Sequence, residues 1–84
     1  MRYQVIILKS VRKELDRLPD DIAKRILVRL AGMETNPRPA DVKKLKGRHA
    51  WRIRVGDYRV IYQIHDQILQ VMVITLGHRR EIYR

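Results

Sequence analysis

Cysteine is absent from this chain of 84 residues, which excludes a disulfide framework and any thiolate metal site. Phenylalanine is absent too, and serine occurs once, at Ser10, where a helix cap is expected. The four glycines are scattered, so there is no Gly-rich phosphate loop. His49, His65 and His78 do not share the spacing of metal ligands, and neither a metal nor another cofactor is expected. No apolar run approaches the roughly 20 residues that span a bilayer, and the start of the chain lacks a signal-peptide layout. A cytoplasmic protein with no membrane partner is expected. Acidic residues are also scarce. Nine Asp and Glu stand against nineteen Lys and Arg, a net charge of +10, whereas a small domain needs only about 2–8 charges for solubility. The excess points to a polyanionic partner, with nucleic-acid binding that weakens as salt rises.

The chain is long enough for one domain, residues 1–84, with a core of its own. Hydrophobic residues make up 45% of it, which excludes a disordered basic tail. Tyr3 to Leu8 reads as a strand. Ser10 is placed to cap a short helix carrying Val11, Leu15 and Leu18, ended by Pro19. Asp20 and Asp21 open a second helix, their charge matching its N-terminal dipole, with Ile22, Ile26, Leu30 and Met33 as its apolar stripe. Asn36-Pro37-Arg38-Pro39 closes it, and a basic connection runs from Asp41 to His49. After a strand pair, His65-Asp66-Gln67 makes a turn, Ile68 to Leu76 reads as a last strand, and Gly77 ends it. The expected architecture is α+β: an N-terminal strand, a two-helix hairpin, then a three-strand antiparallel meander forming a four-stranded sheet. The first strand is expected to pair with the last, leaving Trp51 to Val55 at an edge.

The segment W-R-I-R-V-G-D-Y-R-V-I-Y, Trp51 to Tyr62, is the most informative. Apolar residues alternate with arginines on either side of Gly56-Asp57, the pattern of a β-hairpin on a type II′ turn. Val55 then pairs with Tyr58, Arg54 with Arg59 and Arg52 with Ile61. Trp51, Ile53, Val55, Tyr58, Val60 and Tyr62 share the core face, and Arg52, Arg54 and Arg59 share the other, open to solvent or a ligand. Like charges directly across a ladder are destabilising, so folding alone does not account for them. Arginine offers planar bidentate contacts to phosphate, and a tyrosine such as Tyr83 can stack on an unpaired base. With Arg79 and Arg80, these residues form the candidate RNA site.

The run L-K-G at Leu45 to Gly47, the hairpin, and L-G-H-R-R-E-I-Y at Leu76 to Tyr83 resemble the RelE branch of the RelE/ParE toxins. The likeness extends to the K-E-L-D-R-L-P helix end and the N-P-R-P break. It implies a fold like that of microbial ribonucleases and a type II toxin that cleaves messenger RNA in the A site of the 70S ribosome, by attack of the 2′-hydroxyl without a metal. It also implies a cognate acidic, RelB-like antitoxin in an oligomeric complex. Arg52, Arg54, Arg59, Arg79 and Tyr83 are the catalytic positions implied. Lys43, Lys44, Lys46, Arg48, His78 and Arg80 fit contacts to RNA. The best-known RelE members have lysines at the positions of Arg52 and Arg54, one of them proposed as general base. Arginine keeps its proton, with a pKa above about 12, so either another group takes the proton, with His78 and His49 as the side-chain candidates, or the ribosome and bulk water help, or cleavage is slow. The alternatives are a ParE-like inhibitor of DNA gyrase without ribonuclease activity, disfavoured by the R-R-E-I-Y ending, and a plain RNA-binding module.

Overall fold

The computed structural model of the chain describes residues 2–47 and 49–78. Strand β1 (Gln4–Ile7) passes directly into α1 (Lys9–Arg17), and α2 (Asp20–Gly32) follows the Leu18-Pro19 break. Strands β2 (Lys43–Lys44), β3 (Trp51–Val55), β4 (Tyr58–His65) and β5 (Gln70–His78) come next, with a 3₁₀ turn over Asp66–Ile68 between the last two. They form one sheet in the order β1-β5-β4-β3-β2. β1 runs parallel to β5, as a crossover through the helical pair allows, and every other pairing is antiparallel. The strand, helix pair and meander are those the sequence predicts, and the first strand does pair with the last. The sheet has five strands where four were expected, because the basic connection contributes β2, which covers Trp51 and Arg52 of β3.

The core lies between the sheet and the helices. Val11 and Leu15 of α1 and Ile26 and Leu30 of α2 pack with Ile53, Val60, Tyr62, Val71 and Val73. Burying each such side chain contributes about 1.5–3 kcal/mol. That exceeds the roughly 0.2–1 kcal/mol of a cross-strand side-chain pair, so apolar burial and not charge repulsion decides which face the arginines take. The hairpin register follows: Val55 opposes Tyr58, Arg54 opposes Arg59 and Arg52 opposes Ile61. Gly56 has φ +59 while Asp57 is not in the left-handed region, the signs a type II′ turn requires.

Three local expectations need correction. Ser10 is the second residue of α1 and does not cap it; Leu8 holds the cap position without a side-chain bond. The reason is that the Leu8 N–H still bonds to the Val73 carbonyl, so the strand hands over to the helix before Ser10 is reached. Helix α2 ends at Gly32, ahead of the Asn36–Pro39 break. The last strand starts and ends two residues later than Ile68 to Leu76, because Ile68 completes the 3₁₀ turn, Leu69 closes it in a left-handed conformation (φ 52), and Gly77 continues the ladder opposite Arg59.

Two polar contacts pin the loops to this frame. The Tyr62 hydroxyl, fully buried, donates to the Pro37 carbonyl at 2.8 Å, and burial pushes the phenol pKa up. Asp66 accepts bonds from the Arg38 guanidinium at 3.2 and 2.8 Å and from the Tyr3 hydroxyl at 2.6 Å, tying β1, the Pro-rich loop and the β4–β5 turn together. Arg38 first, then Tyr3, holds the Asp66 carboxyl down at about 2.

Tyr62→Phe leaves the Pro37 carbonyl without its buried donor and is expected to cost about 1–3 kcal/mol in urea unfolding; an unchanged midpoint would refute the role. Because the folded-state pKa of Asp66 is depressed, its contribution is present above the unfolded value of 3.8 and is lost as pH falls toward about 2. Asp66→Asn is expected to lower the melting temperature at pH 7 and to flatten its decline between pH 4 and 2. A wild-type decline in the variant would contradict this.

Candidate nucleic-acid interface

Strand alternation sorts the basic residues between the two faces of the sheet. Lys43 opposes Arg52 across the β2–β3 ladder, and Arg54 opposes Arg59, so these four lie on the face turned away from the helices. Asp41, Lys43, Arg52 and Arg54 line one open cavity of about 310 Å³. The face is not uniformly open, as the sequence suggested. Arg54 is exposed and Arg52 half-buried, but Arg59 is only 5% exposed and Ile61 beside it 3%. Arg59 is flanked by ladder partners on both sides, Arg54 and Gly77, whereas Arg54 lies beyond the end of β2 and has a partner on one side. The result is an enclosed centre holding Arg59, bordered by a cationic margin of Lys43, Arg52 and Arg54.

The margin is held from several directions. Val42 packs against the core, and the Leu45 N–H bonds to the Ala50 carbonyl at 2.9 Å, which continues the β2–β3 ladder. Arg29 of α2 donates through Nη2 to both carboxylate oxygens of Asp41, at 2.7 and 2.8 Å. That contact holds the Asp41 carboxyl below its ordinary range. The sequence reading missed Arg29 and Asp41. No alternation in Asp41-Val42-Lys43-Lys44 marked a strand there, since Lys44 takes the position that an apolar residue would hold.

The same alternation separates Lys44 from Lys43. Lys44 lies 5.8 Å from the centroid of the Trp51 ring, and the Arg38 guanidinium lies 5.2 Å from it. Lys46 and His49 belong to a separate cavity with Lys44, Leu45 and Gly47. His78 ends β5 opposite Tyr58, and their rings meet edge to face at 5.6 Å. It therefore lies on the helix-facing side, away from the arginines. His65 is not in a turn but ends β4, with Nε2 3.1 Å from Gln63 Oε1. Arg48, Arg79, Arg80, Glu81 and Tyr83 lie outside the described residues. Among the described residues no cluster of His, Asp and Glu could hold a metal ion, and no helix is long and apolar enough to cross a membrane.

A second groove runs between α2 and the edge of β3. It has a volume of about 520 Å³ and is lined by Val28 and Val55 together with Lys24, Arg25, Arg29, Arg54 and Asp21. Arg54 borders both hollows.

Residues 5–83 match the family described as the ParE toxin of the type II toxin–antitoxin system parDE. The chain is 34% identical to the toxin RelE of Mycobacterium tuberculosis, over 98% of this chain and 87% of that protein. It is 31% identical to the toxin RelG of the same organism, over 100% and 99%. Among solved structures, the archaeal RelE–RelB complex of Pyrococcus horikoshii superposes with a TM-score of 0.86 at 36% identity, over 96% of this chain and 99% of that one.

Arg54→Ala removes an exposed cation that stands opposite the like charge of Arg59 across the ladder. The melting temperature is expected to stay level or rise. Binding of a single-stranded RNA, followed by anisotropy across a salt series, should weaken, with a slope in log salt shallower by about 0.7. A slope equal to that of the wild type would take Arg54 out of the interface.

Proposed function

The chain belongs to the RelE/ParE superfamily of type II toxin–antitoxin toxins, on its RelE side, and from that premise we propose that it is a metal-independent endoribonuclease that cleaves messenger RNA in the ribosomal A site. The observation that carries the reading is the open margin of Lys43, Arg52 and Arg54 on one sheet face. The 2′-hydroxyl attacks the adjacent phosphorus, giving a 2′,3′-cyclic phosphate and a 5′-hydroxyl. Arg52 and Arg54 hold the phosphate with planar, bidentate donors. Arg59, enclosed at the sheet centre, adds positive potential through a medium of low dielectric as charge develops on the phosphorane. Arg79 joins it in that role and Tyr83 stacks on a base. Lys44, Lys46, Arg48 and Arg80 contact the backbone of the transcript or of ribosomal RNA.

The partner that silences it is an acidic, RelB-like antitoxin. The groove between α2 and β3 supports this part, since its apolar floor of Val28 and Val55 is rimmed by Lys24, Arg25, Arg29 and Arg54. An amphipathic segment with acidic edges complements it in both respects, and a segment bound there covers Arg54.

The test is single-turnover cleavage of a defined message on programmed ribosomes, mapped by primer extension, beside a gyrase supercoiling assay. Cuts within the A-site codon, lost when the antitoxin is added and reduced at least about 10²-fold in Arg54→Ala, are expected. Supercoiling inhibited with the message intact would establish the ParE-like reading instead.

A further inference from the structure

On the ribonuclease reading, we propose that Lys43 is the general base that takes the proton of the 2′-hydroxyl. The reaction needs a proton acceptor, and a guanidinium does not lose its proton in a protein. Arg52, Arg54 and Arg59 are thereby removed from the choice. The histidines are removed by position. His78 lies against Tyr58 on the helix-facing side of the sheet, His49 lines the hollow of the 44–49 loop, and His65 stands beside Gln63. Among the described residues, the cavity at the arginine margin contains two further titratable side chains, Asp41 and Lys43. Asp41 accepts two short bonds from Arg29, and its carboxyl is held below its ordinary range, which makes it a weak acceptor. Lys43 remains.

Its placement suits the role. It stands directly across the ladder from Arg52 and diagonally from Arg54, distances a lysine side chain covers. It is exposed, and it forms no ion pair among the described residues. The groups facing it are Asp41 from its own segment, Arg52 and Arg54 from β3, Arg59 behind them on β4, and Arg29 from α2 through its bond to Asp41. In the step, the free amine of Lys43 takes the 2′-hydroxyl proton, the O2′–P bond forms and the P–O5′ bond breaks. The departing O5′ takes a proton from water, and the ammonium returns its own to solvent. The chain thus has arginines at the two hairpin positions, and the residue able to exchange a proton comes from the neighbouring strand.

The test is the same single-turnover assay run from roughly pH 6 to 9.5. The wild-type rate is expected to rise with pH across that range. Lys43→Arg preserves the cation but not the acceptor. It should cut about 10²–10⁴-fold more slowly throughout. Lys43→Ala should regain cleavage on addition of small primary amines in proportion to their free-base concentration, at an unchanged melting temperature. Wild-type rate and profile in Lys43→Arg would overturn the assignment, as would loss in both variants without amine rescue, which would leave Lys43 a phosphate contact only. A wild-type protein that cuts no message at any pH would remove the ribonuclease reading, and the base with it.

Discussion

The register of the β3–β4 hairpin is the constraint from which the site follows. Side chains alternate along a strand, so a slip of one residue would bring Arg52, Arg54 and Arg59 under the helices and expose Ile53, Val55, Val60 and Tyr62. The apolar face resists that slip with several buried side chains, and the Gly56 turn resists it by fixing which residues face each other. The price is a pair of arginines held opposite one another. It is small beside the burial that enforces it, and the hairpin keeps concentrated positive charge without any sequence change that favours folding.

Position within the sheet then divides that charge. Arg59 is on a strand with neighbours on both sides and is buried; Arg52 and Arg54 are on a strand covered only in its first half by β2. A cation in the enclosed centre acts through its field, and cations at the margin act by contact. Strand β2 completes the margin. It is two residues long and has little stability of its own, but Val42 in the core and the Arg29–Asp41 pair hold it from opposite sides. α2 thus reaches the arginine face through one ion pair while packing on the other face through Ile26 and Leu30.

Much of this was legible in the chain. The stripe of Ile22, Ile26, Leu30 and Met33, the hairpin and its turn type, the pairing of Arg54 with Arg59, and the meeting of first and last strands all follow from periodicity and connection rules. The errors share a cause. Ser10 as a cap, Gly77 as a terminator and His65 as part of the turn are judgements from local residue preference, and each was overridden by a bond or pairing with another strand: Leu8 to Val73, Gly77 opposite Arg59, and His65 opposite Gln70. Leu69 in a left-handed conformation carried no warning at all, since neither glycine nor asparagine marks the position.

By itself the sequence determined the residue types and the face each strand turns to the core, because both depend on composition and a period of two. It therefore determined that arginines gather on one side of a hairpin and that proton-exchanging groups are scarce. Only the tertiary structure decided which of the gathered groups are enclosed, that Lys43 joins them while Lys44 turns to Trp51, and that His78 faces away. Those outcomes depend on which strands become neighbours and how far each ladder extends, and they are set by contacts between segments distant in the chain, which no local pattern encodes.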